Sequence, residues 1–149
     1  MLSTGRYHDA EVVGLSYARA DRVARIDFAL VDGEAGLLFS GVLALRVSDF
    51  GLQNVVSRVL LSTDHHFSID ATRDHVRWAC SQHDYQASLT DQKIAAIEEA
   101  LSQRELLLFV IEPSAGAEIV ILCETMLIAS DKKTDAASEP AAPVGGIGQ

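Results

Sequence analysis

Cysteine is scarce in this chain. Cys80 and Cys123 are the only two in 149 residues, with neither zinc-ligand spacing nor a CxxC arrangement. That excludes a disulfide framework. Both sit among apolar neighbours, Trp78-Ala79-Cys80 and Ile121-Leu122-Cys123, which predicts two reduced core thiols and a cytoplasmic protein. Basic residues are also few: 12 Lys+Arg stand against 21 Asp+Glu, giving a formal charge of −9, and the isoelectric point is near 4.8. Phosphate backbones and anionic lipid would be repelled, so neither nucleic acid nor a membrane surface is expected as a partner. Long apolar runs are missing too. The longest, near residues 106 to 111 and 119 to 123, fall far short of a bilayer span, and the opening residues lack the apolar run of a signal peptide.

Catalytic grammar is equally sparse. There is no GxSxG elbow, no HExxH, and no glycine-rich loop that opens a helix: Gly145-Gly146-Ile147-Gly148 has no helical pattern after it. The five histidines, His8, His65, His66, His75 and His83, stand beside Asp9, Asp64, Asp70, Asp74 and Asp84 without metal-ligand spacing. They read as solvated loop residues, with His8-Asp9 in a structural role at the start of the sheet. Ser114, within Glu112-Pro113-Ser114-Ala115-Gly116, reads as part of a hairpin turn. No catalytic residue, metal or cofactor is therefore expected, and the reading is of a protein that is not an enzyme.

The composition that remains, 48% hydrophobic and 22% charged, is that of one globular domain able to bury a core unaided. Alternation predicts strands over residues 10 to 18, 24 to 30 (Ala24, Ile26, Phe28, Leu30) and 37 to 47, the third bulged at Gly41, with Val31 to Gly36 as a turn. Residues 53 to 62 also fit helical spacing, but three β-branched valines favour a strand, and His66 to Ile69 reads as a short continuation of the sheet. Residues 70 to 81 predict a short helix. Thr90 opens a second, with Ile94, Ala96, Ile97, Ala100 and Leu101 as one stripe and Lys93, Glu98, Glu99, Gln103 and Arg104 facing water. Runs at 106 to 111 and 119 to 128 close the fold as a buried hairpin.

The fold class predicted is α+β, an antiparallel sheet of about six strands with two helices packed on one face. The face toward the helices is expected to carry Ile26, Phe28, Leu30, Phe39, Leu43, Phe109, Ile121 and Leu127. Residues 1–130 read as the domain and 131–149, rich in Ala, Pro and Gly, as a disordered tail. That tail carries two lysines and three acids, so nearly all the negative charge belongs to the domain. A face of acids suits a basic partner, and Asp32 and Glu34 in the turn with Glu98 and Glu99 on the helix are the candidate contacts.

Tyr7-His8-Asp9-Ala10-Glu11-Val12, followed by Phe39-Ser40-Gly41-Val42 and Gln53-Asn54-Val55-Val56, resembles the small bacterial immunity proteins of polymorphic toxin systems. The resemblance covers the first half of the chain. It implies a non-enzymatic binding function, neutralising a cognate toxin by covering its active site, and the acidic charge suits a basic one. The alternatives are an accessory or adaptor domain of a secretion or phage-related system and, third, a small hydrolase or small-molecule binder. An open sheet edge would also allow a homodimer.

Overall fold

A computed structural model describes residues 2–81 and 89–133. A single 3-10 turn, Thr4–Tyr7, precedes eight strands: β1 (Glu11–Ala18), β2 (Val23–Leu30), β3 (Gly33–Ser40), β4 (Ala44–Ser48), β5 (Val55–Leu61), β6 (Leu107–Ala115), β7 (Glu118–Cys123) and β8 (Thr125–Lys133). Two helices, α1 (Ile69–Ala79) and α2 (Asp91–Ser102), lie between β5 and β6. The strands form one sheet in the order β4-β7-β6-β5-β1-β2-β3-β8, and each pair is antiparallel. The α+β class therefore holds, with eight strands instead of about six.

The two extra strands have one cause. The runs 37 to 47 and 119 to 128 each break, and they break opposite one another. Gly41 adopts φ +63°, and the Glu124 N–H donates to Ser40 O at 3.1 Å and Gly41 O at 3.2 Å. Beyond the break the same two segments resume pairing, with the Leu43 N–H donating to Leu122 O at 2.8 Å. The β3·β8 ladder thus hands over to β4·β7, and the sheet curls back on itself into a partly closed barrel.

Inside the curl lies the larger core, which includes Val12, Ile26, Phe28, Leu37, Phe39, Phe109, Ile119 and Ile121. Phe39 on β3 meets Phe109 on β6 across the interior, ring centroids 4.7 Å apart. Ile26, Phe28, Phe39, Phe109 and Ile121 thus face away from the helices, contrary to the sequence reading. Leu30 is half-buried on the same inner side, while Leu43 and Leu127 are exposed, at 52% and 62%. The helices cover the outer side of β4–β7–β6–β5, where Trp78, Ile97 and Leu101 pack on Ala44, Leu60, Leu108, Val110, Val120 and Leu122. Strands buried on both faces carry apolar residues at every position, so alternation cannot tell which face the helices take.

Both helices begin at a hydroxyl cap. Ser68 Oγ accepts from the Ala71 N–H at 3.1 Å and Thr90 Oγ1 from the Lys93 N–H at 3.2 Å, each satisfying one of the free N–H groups of a first turn. Ser68 so starts α1 that the short strand expected at His66 to Ile69 does not form. Strand β8 runs to Lys133, three residues past the boundary expected at 130, and Gly33 pairs with Lys133. The rest of the expected tail, 134–149, lies outside the described residues. Among the described residues, no helix is long and apolar enough to cross a membrane.

Candidate functional site

Two features of this frame are open to a ligand. The first is a gap in the barrel wall. Strand β1 pairs with β2 along its length but with β5 only at Glu11↔Val55, and the last bond on that side is Val12 N–H to Asn54 O at 2.8 Å. The outer edge of β4 is likewise bonded to no strand among the described residues. The opening is framed by β1, the β1–β2 turn whose Arg22 O accepts from the Val42 N–H at 3.0 Å, β4, and the β4–β5 loop.

Register shows what the gap exposes. Leu15 pairs with Ile26 and Tyr17 with Ala24, while Leu45 pairs with Ile121 and Val47 with Ile119. Each of those four partners is fully buried on the inner face. Cross-strand neighbours share a face, so Leu15, Tyr17, Leu45 and Val47 belong to the interior. Yet Leu15, Leu45 and Val47 are only half-buried and Tyr17 is 44% exposed. Around the gap stand Val13, Leu43, Phe50 and a fully exposed Leu52. With Tyr17 these are five of the nine large apolar side chains exposed among the described residues.

The second feature is a cleft of about 500 Å3 between the β5–α1 loop and α2. Leu101 and Leu108 supply its apolar side, and Ser62, Thr63, Asp64, His65 and His66 one wall. Glu98 and Ser102 come from α2. His65 meets Phe67 edge-on at 4.7 Å, and Phe67 meets His75 at 5.6 Å. Burial lowers the His75 pKa from its ordinary 6.5, against the carboxylates of Glu118, Glu112 and Asp74, which act to raise it. Ser62 Oγ accepts from the Leu108 N–H at 2.9 Å, tying the loop to β6.

The acids proposed from sequence sit in different settings. Asp32 is held by Arg6 at 3.3 Å, and Glu34 is exposed on β3 opposite Lys132. Glu98 is half-buried: it accepts from Arg73 Nε at 2.5 Å and lines the cleft. Glu99 is exposed and accepts from Gln103 Nε2 at 2.8 Å. Sequence alone could not foresee the ion pairs, because Arg6 and Arg73 lie in different elements from their partners. The seam was missed for a different reason. Its only local signal was the pair Phe50 and Leu52, apolar residues in a loop.

The remaining candidates make local contacts. Nδ1 of His8 lies 3.2 Å from Asp9 Oδ2, and Ser114 Oγ donates to Val55 O at 3.4 Å. Cys123 is buried and its thiol is pushed up to about 12 by burial and, next, by Glu124. Burial also raises the half-buried Cys80. Among the described residues no three His, Cys, Asp or Glu side chains converge as metal ligands; His83 and Asp84 lie outside the described residues. Comparison with protein-family models, curated proteins and solved structures finds no match to the chain.

Proposed function

We propose that the protein is a non-enzymatic binding module of the immunity kind, which neutralises a basic toxin by direct contact, and that the seam between β1 and β4 is where the toxin docks. The observation that carries this reading is interior apolar surface left open beside two strand edges. Strand edges with free N–H and C=O groups accept an extended segment of another chain, and apolar side chains alternating along that segment would complete the inner face. Exposed apolar patches of this kind mark interaction sites in soluble proteins. The charge of −9 adds long-range attraction for a basic partner and raises its rate of approach.

The test is reconstitution with the toxin whose gene adjoins that of this protein. Purified toxin should bind and lose its activity, and association should slow as salt rises. The double variant Phe50→Asp/Leu52→Asp, built at exposed loop positions, should keep the thermal midpoint and weaken binding at least about tenfold, since buried apolar anchors dominate interface energy. Unchanged affinity in that variant would remove the seam as the docking surface. An adjacent gene product that does not bind at all would remove the immunity reading.

A further inference from the structure

The cleft beside α2 has its own chemistry, apart from the seam. Its lining includes two carboxylates, Asp64 and Glu98, and neither lysine nor arginine. Its hydroxyls are already oriented by the fold. Thr72 Oγ1 donates to Ser68 O at 2.9 Å and Ser102 Oγ donates to Glu99 O at 2.7 Å. A hydroxyl that has given its proton to the backbone has only lone pairs left for a ligand. Glu98 spends Oε1 on Arg73, while Oε2 and the exposed Asp64 carboxylate have no hydrogen-bond partner among the described residues. Glu98 Oε2, Asp64 and the Thr72 and Ser102 lone pairs are the acceptors open to a ligand, beside the donors of Ser62, His65 and His66 on the loop wall.

Charge has the same sign. Arg73, beside the cleft, is held protonated first by its bond to Glu98 and then by the charges of Glu98, Asp70 and Asp91. One guanidinium is thus set among several carboxylates, and Asp64 adds another. The floor and side, Leu101, Leu108, Phe67 and Ile69, are apolar, which suits an aliphatic stem lying flat beneath a charged head. A volume of about 500 Å3 is within the range of small-ligand sites.

We propose that this cleft binds a primary ammonium group carried on an aliphatic chain, the chemistry shared by a lysine side chain and a free polyamine. The ammonium's three donors meet Asp64, the free oxygen of Glu98 and the hydroxyl lone pairs, while its methylenes cover Leu101 and Leu108.

The experiment is an NMR titration of the full chain with Nα-acetyl-lysine methylamide, its neutral norleucine counterpart and 1,5-diaminopentane. Both amines should shift the backbone signals of residues 62–67 and 98–102 and saturate. The norleucine compound should bind at least about tenfold more weakly. Asp64→Asn, a change at an exposed position, should weaken the amines several-fold, and Leu52→Asp at the seam should leave them unchanged. Tighter binding of the lysine amide would assign the site to a protein side chain, and tighter binding of the diamine to a free polyamine; each supports the ammonium site. Norleucine binding as tight as lysine, shifts that never saturate, or indifference to Asp64→Asn would overturn it. None of these results bears on toxin capture at the seam.

Discussion

Asn54 holds Ala117 by a hydrogen bond from the Ala117 N–H to Asn54 Oδ1, 3.1 Å long and spanning 63 positions of sequence. The same oxygen accepts from the Gly51 N–H at 2.9 Å. The Nδ2 group donates to Gly51 O at 2.9 Å and Val12 O at 3.4 Å. One buried side chain thus joins the β4–β5 loop, β1 and the β6–β7 turn.

Asn54→Ala should destabilise the protein by about 2–3 kcal/mol, because it strands the buried Ala117 N–H, where an unmet group costs on the order of 1–3 kcal/mol, and removes the ties to Gly51 and Val12. For a domain of this size the melting midpoint should fall on the order of 10 °C. A fall of only a degree or two, measured by circular dichroism, would show that water replaces the amide.

Two of the positive-φ glycines, Gly41 and Gly116, should respond differently to alanine. At Gly116, φ +78°, a Cβ would fall onto the Gln53 backbone oxygen and 2.6 Å from Asn54 Oδ1, neither of which can move without breaking the junction. At Gly41, φ +63°, it would meet the Glu124 side chain, which can swing away. Gly41→Ala should cost about 1–2 kcal/mol, the left-handed backbone penalty, and Gly116→Ala distinctly more. A urea titration that ranks them the other way would contradict the assigned contacts.

Burial lowers the His75 pKa below 6.5, so between its folded and unfolded values the unfolded chain binds more protons and stability rises with pH. Above about pH 7 the residue should contribute no slope. As pH falls through 6.5, stability should be lost, and His75→Gln should flatten that part of the curve. Parallel urea-midpoint curves for the two proteins from pH 7.5 to 5.5 would show that His75 does not titrate with unfolding.

Neither thiol should alkylate readily at pH 8, since the thiolate is the reactive form and burial suppresses it at Cys123, at about 12, and at Cys80. Iodoacetamide followed by mass spectrometry should label the half-buried Cys80 before Cys123, and both at once in denaturant. Rapid labelling of Cys123 in the native protein would reveal opening of β7.

Much of the frame is readable from local pattern. The alternation of Ala24, Ile26 and Phe28 sets β2, and Thr90 with the Ile94–Ile97–Leu101 stripe sets α2. Gly41 is legible as an irregular point in its strand, but the full break there is hidden because it is set by a contact with Glu124, far along the chain. The face chosen by the helices is hidden because Leu108 and Phe109, adjacent in β6, are both buried, one under the helices and one in the barrel. The seam is the hardest to foresee, since it consists of pairs that do not form. Gly41 and Asn54 hold the chain's break and junction.

The handover between β3·β8 and β4·β7 also dictates an order of assembly during synthesis. The meander β1–β2–β3 leaves the ribosome first, but the edge of β3 is covered only by β8, at the far end of the described chain, with Ser40 paired to Thr125. A β1–β2–β3 sheet formed before then would have a bare edge and an unroofed apolar face. Pairings so distant in sequence close slowly, and exposed edges of this kind invite association with other chains. The interval between synthesis of β3 and of β8 is therefore when the chain is most open to association with its neighbours.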